Sequence, residues 1–240
     1  MGTGSENLPL TTMIWTRQMP TKPYSKSKTL TTFESKASGS FMEPRQYALA
    51  CWDAYWDQIK PRLNKRADTF EQIFDYLERI VDPVIVETGT YREENNYEGD
   101  GCSTLLFDQY VAAHGGILWS VDNDPKACDL STAETDHAIV VCQDSVEFLA
   151  SLDGKVDLLY LDSYNIADWN HDCEPAAHHL KELFAARHCI KPGTLVVIDD
   201  NIVTPQGKRL GKGRLVYELF ESLGGEPYFD SYQVGWIWED

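Results

Sequence analysis

Short apolar runs rich in Val, Ile and Leu alternate with helix-length stretches along most of the chain. The apolar runs cover residues 84–88, 117–122, 138–142, 156–161 and 194–199. Runs of this composition are typical of parallel strands that are buried on both faces of a sheet. Stretches of helical periodicity lie between them, near 102–114, 125–133, 145–152 and 175–188. The alternation predicts an α/β fold with a doubly wound, mostly parallel sheet.

The last part of the chain breaks this rhythm. A predicted helix near 213–223 is followed by two aromatic runs, 227–232 and 233–238, with no helix between them. Strands that are joined without a crossover helix pair antiparallel. We therefore expect a hairpin at the edge of the sheet, which completes a seven-stranded sheet.

Two helices are predicted before the first strand. Aromatic residues, among them Tyr47 and Tyr55, recur at helical spacing within 43–59. This stripe either covers a substrate pocket or packs on the domain. A second amphipathic pattern covers 70–81, and Asp68 is its candidate N-cap.

These patterns divide the chain into three parts. Residues 1–40 are rich in Thr, Ser, Lys and Pro and show no periodicity, which predicts a flexible arm. Residues 41–66 form a helical cover, and residues 67–240 form the ligand-binding domain.

The formal net charge is −17, and the acidic excess lies beyond the first 45 residues. Such a body repels a phosphate backbone, whose binding depends on Lys and Arg, so we expect no nucleic-acid partner. No apolar run approaches the roughly 20 residues of a membrane-spanning helix, so we expect no membrane partner. The six cysteines form no C-x-x-C pair and lie among apolar neighbours, which predicts buried thiols in a reduced, cytoplasmic protein.

Ligands of doubly wound sheets bind where the strands end, so the residues after each apolar run are the candidate site. The first strand ends in a carboxylate that suits a ligand ammonium group, and a glycine follows that lets the backbone approach the ligand. A helix then begins, and its N-terminus attracts a carboxylate. The residues that carry this pattern are Glu87, Thr88, Gly89, Thr90, Gly101, Ser103 and Thr104. The alternative interpretation is an ordinary turn between a strand and a helix.

The second and third strands also end in acidic residues. Asp122, followed by Asn123, is placed to accept hydrogen bonds from ribose hydroxyl groups. Asp124 before Pro125 is better explained as a helix cap. NAD-dependent enzymes use the same ribose carboxylate, but the chain lacks their G-x-G-x-x-G turn.

The third strand is followed by Asp144 and Ser145. Asp144 either lies near the amino group of an adenine or caps the helix that begins at Ser145, and the two roles are compatible.

The fourth and fifth strands bring three carboxylates and an amide to one edge of the sheet. Asp162 and Ser163 follow the fourth strand, and Asp199, Asp200 and Asn201 follow the fifth. Neighbouring carboxylates repel one another, so the cluster needs a cation or a raised pKa. Hard oxygen ligands without cysteine indicate Mg²⁺, Ca²⁺ or Mn²⁺.

Over roughly residues 70–238, the order of these strand-end residues resembles class I S-adenosylmethionine-dependent methyltransferases. Within that class, the segments Tyr160–Ser163 and Ile198–Asn201 resemble the metal-binding segments of cation-dependent O-methyltransferases of the catechol O-methyltransferase type. The segments Glu87–Thr104, Tyr160–Tyr164 and Asp199–Asn201 also resemble bacterial methyltransferases whose substrates are poorly assigned, some of which are linked to polyketide or sugar tailoring. The resemblance implies a Rossmann-like fold and S-adenosylmethionine as cofactor.

The resemblance also implies roles for individual residues. Asp162, Asp200 and Asn201 would hold a divalent cation, most simply Mg²⁺, which takes the oxygens of a small-molecule acceptor. Asp162 is thus both a metal ligand and the candidate catalytic residue. Glu87, Asp122 and Asp144 would hold the amino group, ribose and adenine of the cofactor. Related O-methyltransferases are often homodimers, which the resemblance extends to this chain.

The sequence departs from that family in two places. Catechol-type enzymes place a lysine, the general base, where this chain has Asn165. The nearby alternatives for that base are His171, His178, His179 and Lys212. The chain also inserts Arg92–Asp100 where the compact form has a far shorter connection, and this insertion forms either a lid over the cofactor or a surface loop.

The main hypothesis is therefore cation-assisted methyl transfer to an oxygen of a small molecule. A second hypothesis keeps the cofactor and omits the metal, so that Asp162 or Asp200 contacts the substrate directly. A third is a methyltransferase-like scaffold that binds a partner through its aromatic N-terminal helix.

Overall fold

The computed structural model describes residues 42–166 and 168–239, so the predicted arm 1–40 lies outside the described residues. The strands are β1 Val84–Thr88, β2 Ile117–Asp122, β3 Ala138–Cys142, β4 Val156–Leu161, β5 Ile190–Ile198, β6 Asn201–Val203, β7 Arg209–Gly211, β8 Phe229–Asp230 and β9 Val234–Ile237. The helices are α1 Pro44–Ile59, α2 Ala67–Leu77, α3 Ser103–His114, α4 Pro125–Glu134, α5 Ser145–Ser151, α6 Cys173–Ala185 and α7 Arg214–Ser222.

Seven strands form one sheet in the order β3-β2-β1-β4-β5-β9-β8. The strands β1 to β5 are parallel, whereas β9 pairs antiparallel with β5 and β8 pairs antiparallel with β9. This confirms the predicted α/β, doubly wound sheet with an antiparallel C-terminal hairpin. Because the chain order reverses beside β1, the carboxyl ends of β1 and β4 flank the crevice where such sheets bind ligands.

Helices cover both faces of the sheet, which explains why the strands are apolar throughout. Every residue of β4 is buried. One face packs against α1, α2 and α3, whose core includes Phe70 and Phe107. The other packs against α5, α6 and α7, whose core includes Phe148 and Phe220.

The aromatic stripe of α1 packs on the domain. Trp52 is buried and makes edge-to-face contacts with Phe74 of α2 and Tyr110 of α3, at centroid distances of 4.8 and 5.3 Å. Geometry of this kind stabilises aromatic pairs beyond their buried area. Tyr47, on the outer side of the helix, is exposed.

The structure corrects several local predictions. The helix α2 begins at Ala67, so Asp68 lies in its first turn and is not its N-cap. The strand β5 begins at Ile190, earlier than the predicted start at residue 194. Ile190 pairs with Val156 of β4, and a register shift separates this pair from the regular pairing that starts at Leu158 and Leu195. A separate antiparallel pair, β6 with β7, follows β5 and was not predicted.

Cysteine burial is less uniform than expected. Cys102, Cys128 and Cys189 are buried free thiols, whereas the free thiols of Cys51, Cys142 and Cys173 are exposed. Cys142 is exposed because it ends β3, which lies at the open edge of the sheet. Within 42–166 and 168–239, no helix is long and apolar enough to span a membrane.

Candidate functional site

A polar cavity opens at the carboxyl ends of β1, β2 and β4. It is lined by Gly89, Thr90, Tyr91, Arg92, Asp100, Cys102, Ser103, Asp122, Asp162, Ser163 and Tyr164. The turn after β1 requires glycine, since Gly89 has a φ of +83° and a Cβ there would lie 2.7 Å from the backbone oxygen of Asp162. This close approach brings the ends of β1 and β4 together at the cavity.

Glu87 lies behind that turn and is completely buried. Thr104 Oγ1 and Ser120 Oγ each donate to its Oε2 at 2.6 Å, which links β1 to the start of α3 and to β2. The other oxygen, Oε1, is buried and makes no hydrogen bond within the described residues. Burial raises the pKa of Glu87 to about 7, although its hydroxyl partners favour the charged form. An unpaired buried acceptor of this kind fits a cationic ligand group.

The N-terminus of α3 faces the cavity without a side-chain cap. Its N-cap residue Cys102 has a left-handed φ of 49° and makes no capping hydrogen bond, and Cys102 and Ser103 both line the cavity. Gly101 precedes them at a φ of +74° and packs against the side chain of Arg66. The unpaired backbone N–H groups of such a helix start attract anions.

The carboxylate of Asp122 is fixed at the wall of the cavity. Its Oδ2 accepts from the Thr90 backbone N–H at 3.1 Å, and its Oδ1 accepts from the Asp124 N–H at 2.8 Å. Asn123 is exposed and does not line the cavity. Asp124 caps α4 by accepting from the Lys126 N–H at 3.0 Å, as predicted.

Asp144 and Ser145 lie outside this cavity. Asp144 is exposed and caps α5 through the Glu147 N–H at 3.0 Å, which is the capping role predicted for it. Ser145 lies 3.2 Å from His178 Nε2 and contributes to a buried polar cluster around Glu182. Since neither residue lines the cavity, the structure does not place Asp144 or Ser145 beside an adenine bound there.

Two buried cations pair with the three carboxylates at the ends of β4 and β5. Lys212 Nζ lies 2.6 Å from Asp162 Oδ1 and 2.9 Å from Asp200 Oδ2. Arg66 donates through Nε to Asp199 Oδ2 at 2.7 Å and through Nη2 to Asp200 Oδ1 at 3.1 Å. Burial opposes the charge of Lys212, but Asp162 and Asp200 outweigh it and raise the pKa of the ammonium above its ordinary value.

Asn201 does not present its oxygen to this cluster. Its Nδ2 donates to the backbone oxygens of Ile198 and Asp199, and its Oδ1 accepts from the Gly213 N–H at 3.0 Å. The predicted cation set of Asp162, Asp200 and Asn201 is therefore not assembled, because an ammonium bridges two members and the backbone engages the third. No group of His, Cys, Asp and Glu in the described part of the chain has the geometry to hold a metal ion.

The predicted general-base candidates lie away from the cavity or are engaged. His171 is exposed beside Asp168, with its Nδ1 at 2.7 Å from Asp168 Oδ2. His178 and His179 lie 3.3 and 3.8 Å from the buried carboxylate of Glu182, which also accepts from Ser163 Oγ at 2.6 Å. These histidines therefore contact the cavity wall only indirectly, through Glu182 and its hydrogen bond from Ser163.

The inserted segment Arg92–Asp100 forms part of the cavity wall. Arg92 pairs with Asp100 at 2.8 Å and also donates to Asn165 in the segment after β4, so its side chain spans the two segments. From the other side, Arg66 Nη1 donates to the Gly99 backbone oxygen at 3.0 Å. Tyr97, within the same segment, is buried under the guanidinium of Arg62.

Sequence reasoning located part of the cavity lining and missed the rest. Predicted residues in the wall are Gly89, Thr90, Ser103, Asp122, Asp162 and Ser163, whereas Glu87, Thr88, Gly101, Thr104, Asn123, Asp144 and Ser145 do not line it. Tyr91, Cys102 and Tyr164 were missed although each directly adjoins a predicted residue. Tyr164 has a φ of 61°, which is a left-handed backbone conformation. Tertiary contacts impose this conformation, and no sequence pattern predicts it.

No protein-family model and no curated protein matches the chain. Among solved structures it is similar to apo CalS11, a TDP-rhamnose 3'-O-methyltransferase of calicheamicin biosynthesis, with a TM-score of 0.51 and 13% identity over 84% of this chain and 97% of that chain. MycE methyltransferase of the mycinamycin pathway, in complex with Mg and SAH, matches with a TM-score of 0.47 and 15% identity over 70% of this chain and 48% of that chain. The chain thus has the fold of class I S-adenosylmethionine-dependent methyltransferases.

Glu87 gives the ligand-free protein a defined pH dependence. Since its pKa rises from 4.5 to about 7 on folding, the folded state binds the extra proton between these values. Its contribution is complete below pH 4.5 and is lost as pH rises to 7, by on the order of 3 kcal/mol. Urea unfolding of wild type and Glu87→Gln at pH 5 and pH 8 measures it. We expect the variant to gain stability relative to wild type at pH 8, and a difference that is independent of pH would contradict the assignment.

The ion pair of Arg66 is a second test of the site. Arg66→Ala leaves Asp199 buried without its charged partner, so we expect a loss of about 3–5 kcal/mol in the free energy of unfolding. The control is Lys60→Ala, which removes the partly exposed pair with Glu71 and costs about 0–1 kcal/mol. Equal losses from the two variants in urea unfolding would show that the Arg66 network is not buried as described.

Proposed function

We propose that this protein is an S-adenosylmethionine-dependent methyltransferase that methylates a hydroxyl oxygen of a small molecule, with no metal ion between Asp162 and Asp200. The observation that carries the proposal is the convergence of four features on one cavity. These are the Gly89 turn, the uncapped start of α3, the fixed carboxylate of Asp122 and the carboxylate of Asp162. The fold supports the same conclusion.

The residues around the cavity fit the polar groups of S-adenosylmethionine. Asp122 is placed to accept from ribose hydroxyl groups, and the first N–H groups of α3 suit the methionine carboxylate. The unpaired Oε1 of Glu87 suits the methionine ammonium from behind the turn. When bound, this cofactor supplies an electrophilic methyl group on a sulfonium sulfur.

Asp162 is the residue we assign to the acceptor. Its Oδ1 is held by Lys212 and its side chain borders the cavity, so its orientation is fixed before substrate binds. A hydroxyl group that donates to this carboxylate would be held in a fixed orientation, and Asp162 would take its proton when the oxygen is methylated. Alignment of this kind is the main source of rate in a displacement reaction.

The charge of the domain indicates which acceptors are suitable. The net charge of −17 disfavours nucleic acid, and a carboxylate that accepts a hydrogen bond favours a neutral hydroxyl over an anionic oxygen. A hydroxylated small molecule, such as a sugar or a phenol, meets both conditions.

Binding of S-adenosylhomocysteine tests the cofactor half of the proposal. Isothermal titration should show binding to wild type, and Asp122→Ala should weaken it about tenfold, because the ribose loses hydrogen bonds worth about 1 kcal/mol each. Asp124→Ala is the matched control, since Asp124 caps α4 outside the cavity, and it should bind as wild type does. No binding to wild type at millimolar ligand would refute the cofactor, and equal affinities would refute the site.

Methyl transfer tests the acceptor half. The wild type is incubated with radiolabelled S-adenosylmethionine and a panel of sugars, phenols and catechols, with and without EDTA. Asp162→Asn preserves the size of the side chain but cannot take the proton, so we expect turnover to fall by about 10²-fold or more with little change in S-adenosylhomocysteine affinity. Activity that EDTA abolishes and Mg²⁺ restores would contradict the metal-free form of the proposal.

A further inference from the structure

Three carboxylates at the ends of β4 and β5 are paired with two cationic side chains of the chain itself. Lys212 is only 1% exposed, and its ammonium lies among three acceptor oxygens. The acceptors are the Asp162 backbone oxygen at 3.0 Å, Asp162 Oδ1 at 2.6 Å and Asp200 Oδ2 at 2.9 Å. Arg66 approaches Asp199 and Asp200 from the opposite side. Two buried cations thus face Asp162, Asp199 and Asp200.

The backbone delivers the Lys212 ammonium to this place. Lys212 stands between two glycines, just after β7 and before α7, and its backbone N–H donates to the Asp200 oxygen at 3.1 Å. A Cβ at Gly211 would lie 2.0 Å from that same oxygen, and a Cβ at Gly213 would lie 2.3 Å from Asn201 Oδ1. Only glycine allows such close approach at both neighbours, so the position of Lys212 is built into the local fold.

The same geometry excludes a divalent ion from this place. A Mg²⁺ ion needs oxygen ligands at about 2.0–2.1 Å, and an ion that bridged Asp162 and Asp200 at that range would overlap Lys212 Nζ. The three carboxylates carry three negative charges, and Lys212 and Arg66 already supply two positive charges. The two charges of a Mg²⁺ ion would therefore leave the cluster with a net positive charge. The Asn201 oxygen that would complete the ligand set already accepts from Gly213.

We propose that the ammonium of Lys212 is the resident cation of this site and takes the place of a divalent metal ion. Lys212 is a positioning residue, since it holds Asp162 and Asp200 in register and is itself buried outside the lining of the cavity. Its effect on catalysis, through the orientation of Asp162, rests on the function proposed above. Its exclusion of metal does not, and can be measured without turnover.

Electron paramagnetic resonance of Mn²⁺ tests this proposal directly. Wild type should bind no Mn²⁺ through Asp200. Lys212→Ala frees the two carboxylates and should bind Mn²⁺ at least about tenfold more tightly than wild type, since opposite charges attract strongly at such a site. Adding Asp200→Asn to Lys212→Ala should remove the gained binding. Lys208→Ala, an exposed lysine between β6 and β7, is the matched control and should gain nothing.

Circular dichroism identifies the variants that fold, and Lys212→Met, which fills the space of the lysine stem, is the second variant. Mn²⁺ binding to wild type that Asp200→Asn abolishes would overturn the proposal, and so would folded Lys212 variants that gain no site. If neither Lys212 variant folds, the Mn²⁺ titrations of wild type and Asp200→Asn decide alone. Mn²⁺ binding that Asp200→Asn abolishes would overturn the proposal, and no such binding supports it. If neither wild type nor any variant binds S-adenosylhomocysteine, the proposed function is refuted, but the conclusion from Mn²⁺ binding stands.

Discussion

The buried ion network around Asp199 and Asp200 is the constraint on which the rest of this site depends. A carboxylate that leaves water costs several kcal/mol unless charged and hydrogen-bonded partners meet it. Asp199 is completely buried and receives Arg66 from the turn after α1 and the Tyr160 hydroxyl from β4. Asp200 receives Lys212 from the turn before α7 and the Tyr232 hydroxyl at 2.7 Å. Segments from both ends of the domain therefore meet at the end of β5.

This network also contacts the segment that forms one wall of the cavity. Arg66 contacts the backbone of the inserted segment at Gly99 while its guanidinium holds the carboxylates, so one side chain links the wall of the cavity to its charged edge. Arg92 completes the wall by linking Asp100 to Asn165. The inserted segment is consequently a structural part of the site, held from both sides.

A cation supplied by the chain changes the chemistry that the site offers. A divalent metal ion can bind two vicinal oxygens of a catechol, whereas the buried ammonium of Lys212 is held by Asp162 and Asp200 and does not line the cavity. If the protein is the methyltransferase proposed above and Lys212 is its resident cation, the methyl acceptor needs only one hydroxyl group that reaches Asp162. The substrate class then widens from catechols to molecules with a single suitably placed hydroxyl, and selection passes to the shape of the cavity.

The sequence by itself determined the sheet, because strands buried on both faces must be apolar and their ends must be polar where ligands bind. It therefore placed β1 to β4 almost to the residue and identified Asp122 and Asp162 as members of the cavity wall. It also indicated that the acids at 162, 199 and 200 needed a cation or a raised pKa. Only the tertiary structure showed that Lys212 and Arg66 are the cations that pair with these acids. Lys212 lies 50 residues from Asp162, and Arg66 lies 133 residues from Asp199, so no local pattern pairs them. The hydrogen bond from the Gly213 N–H that engages the Asn201 side-chain oxygen likewise comes from a residue 12 positions away.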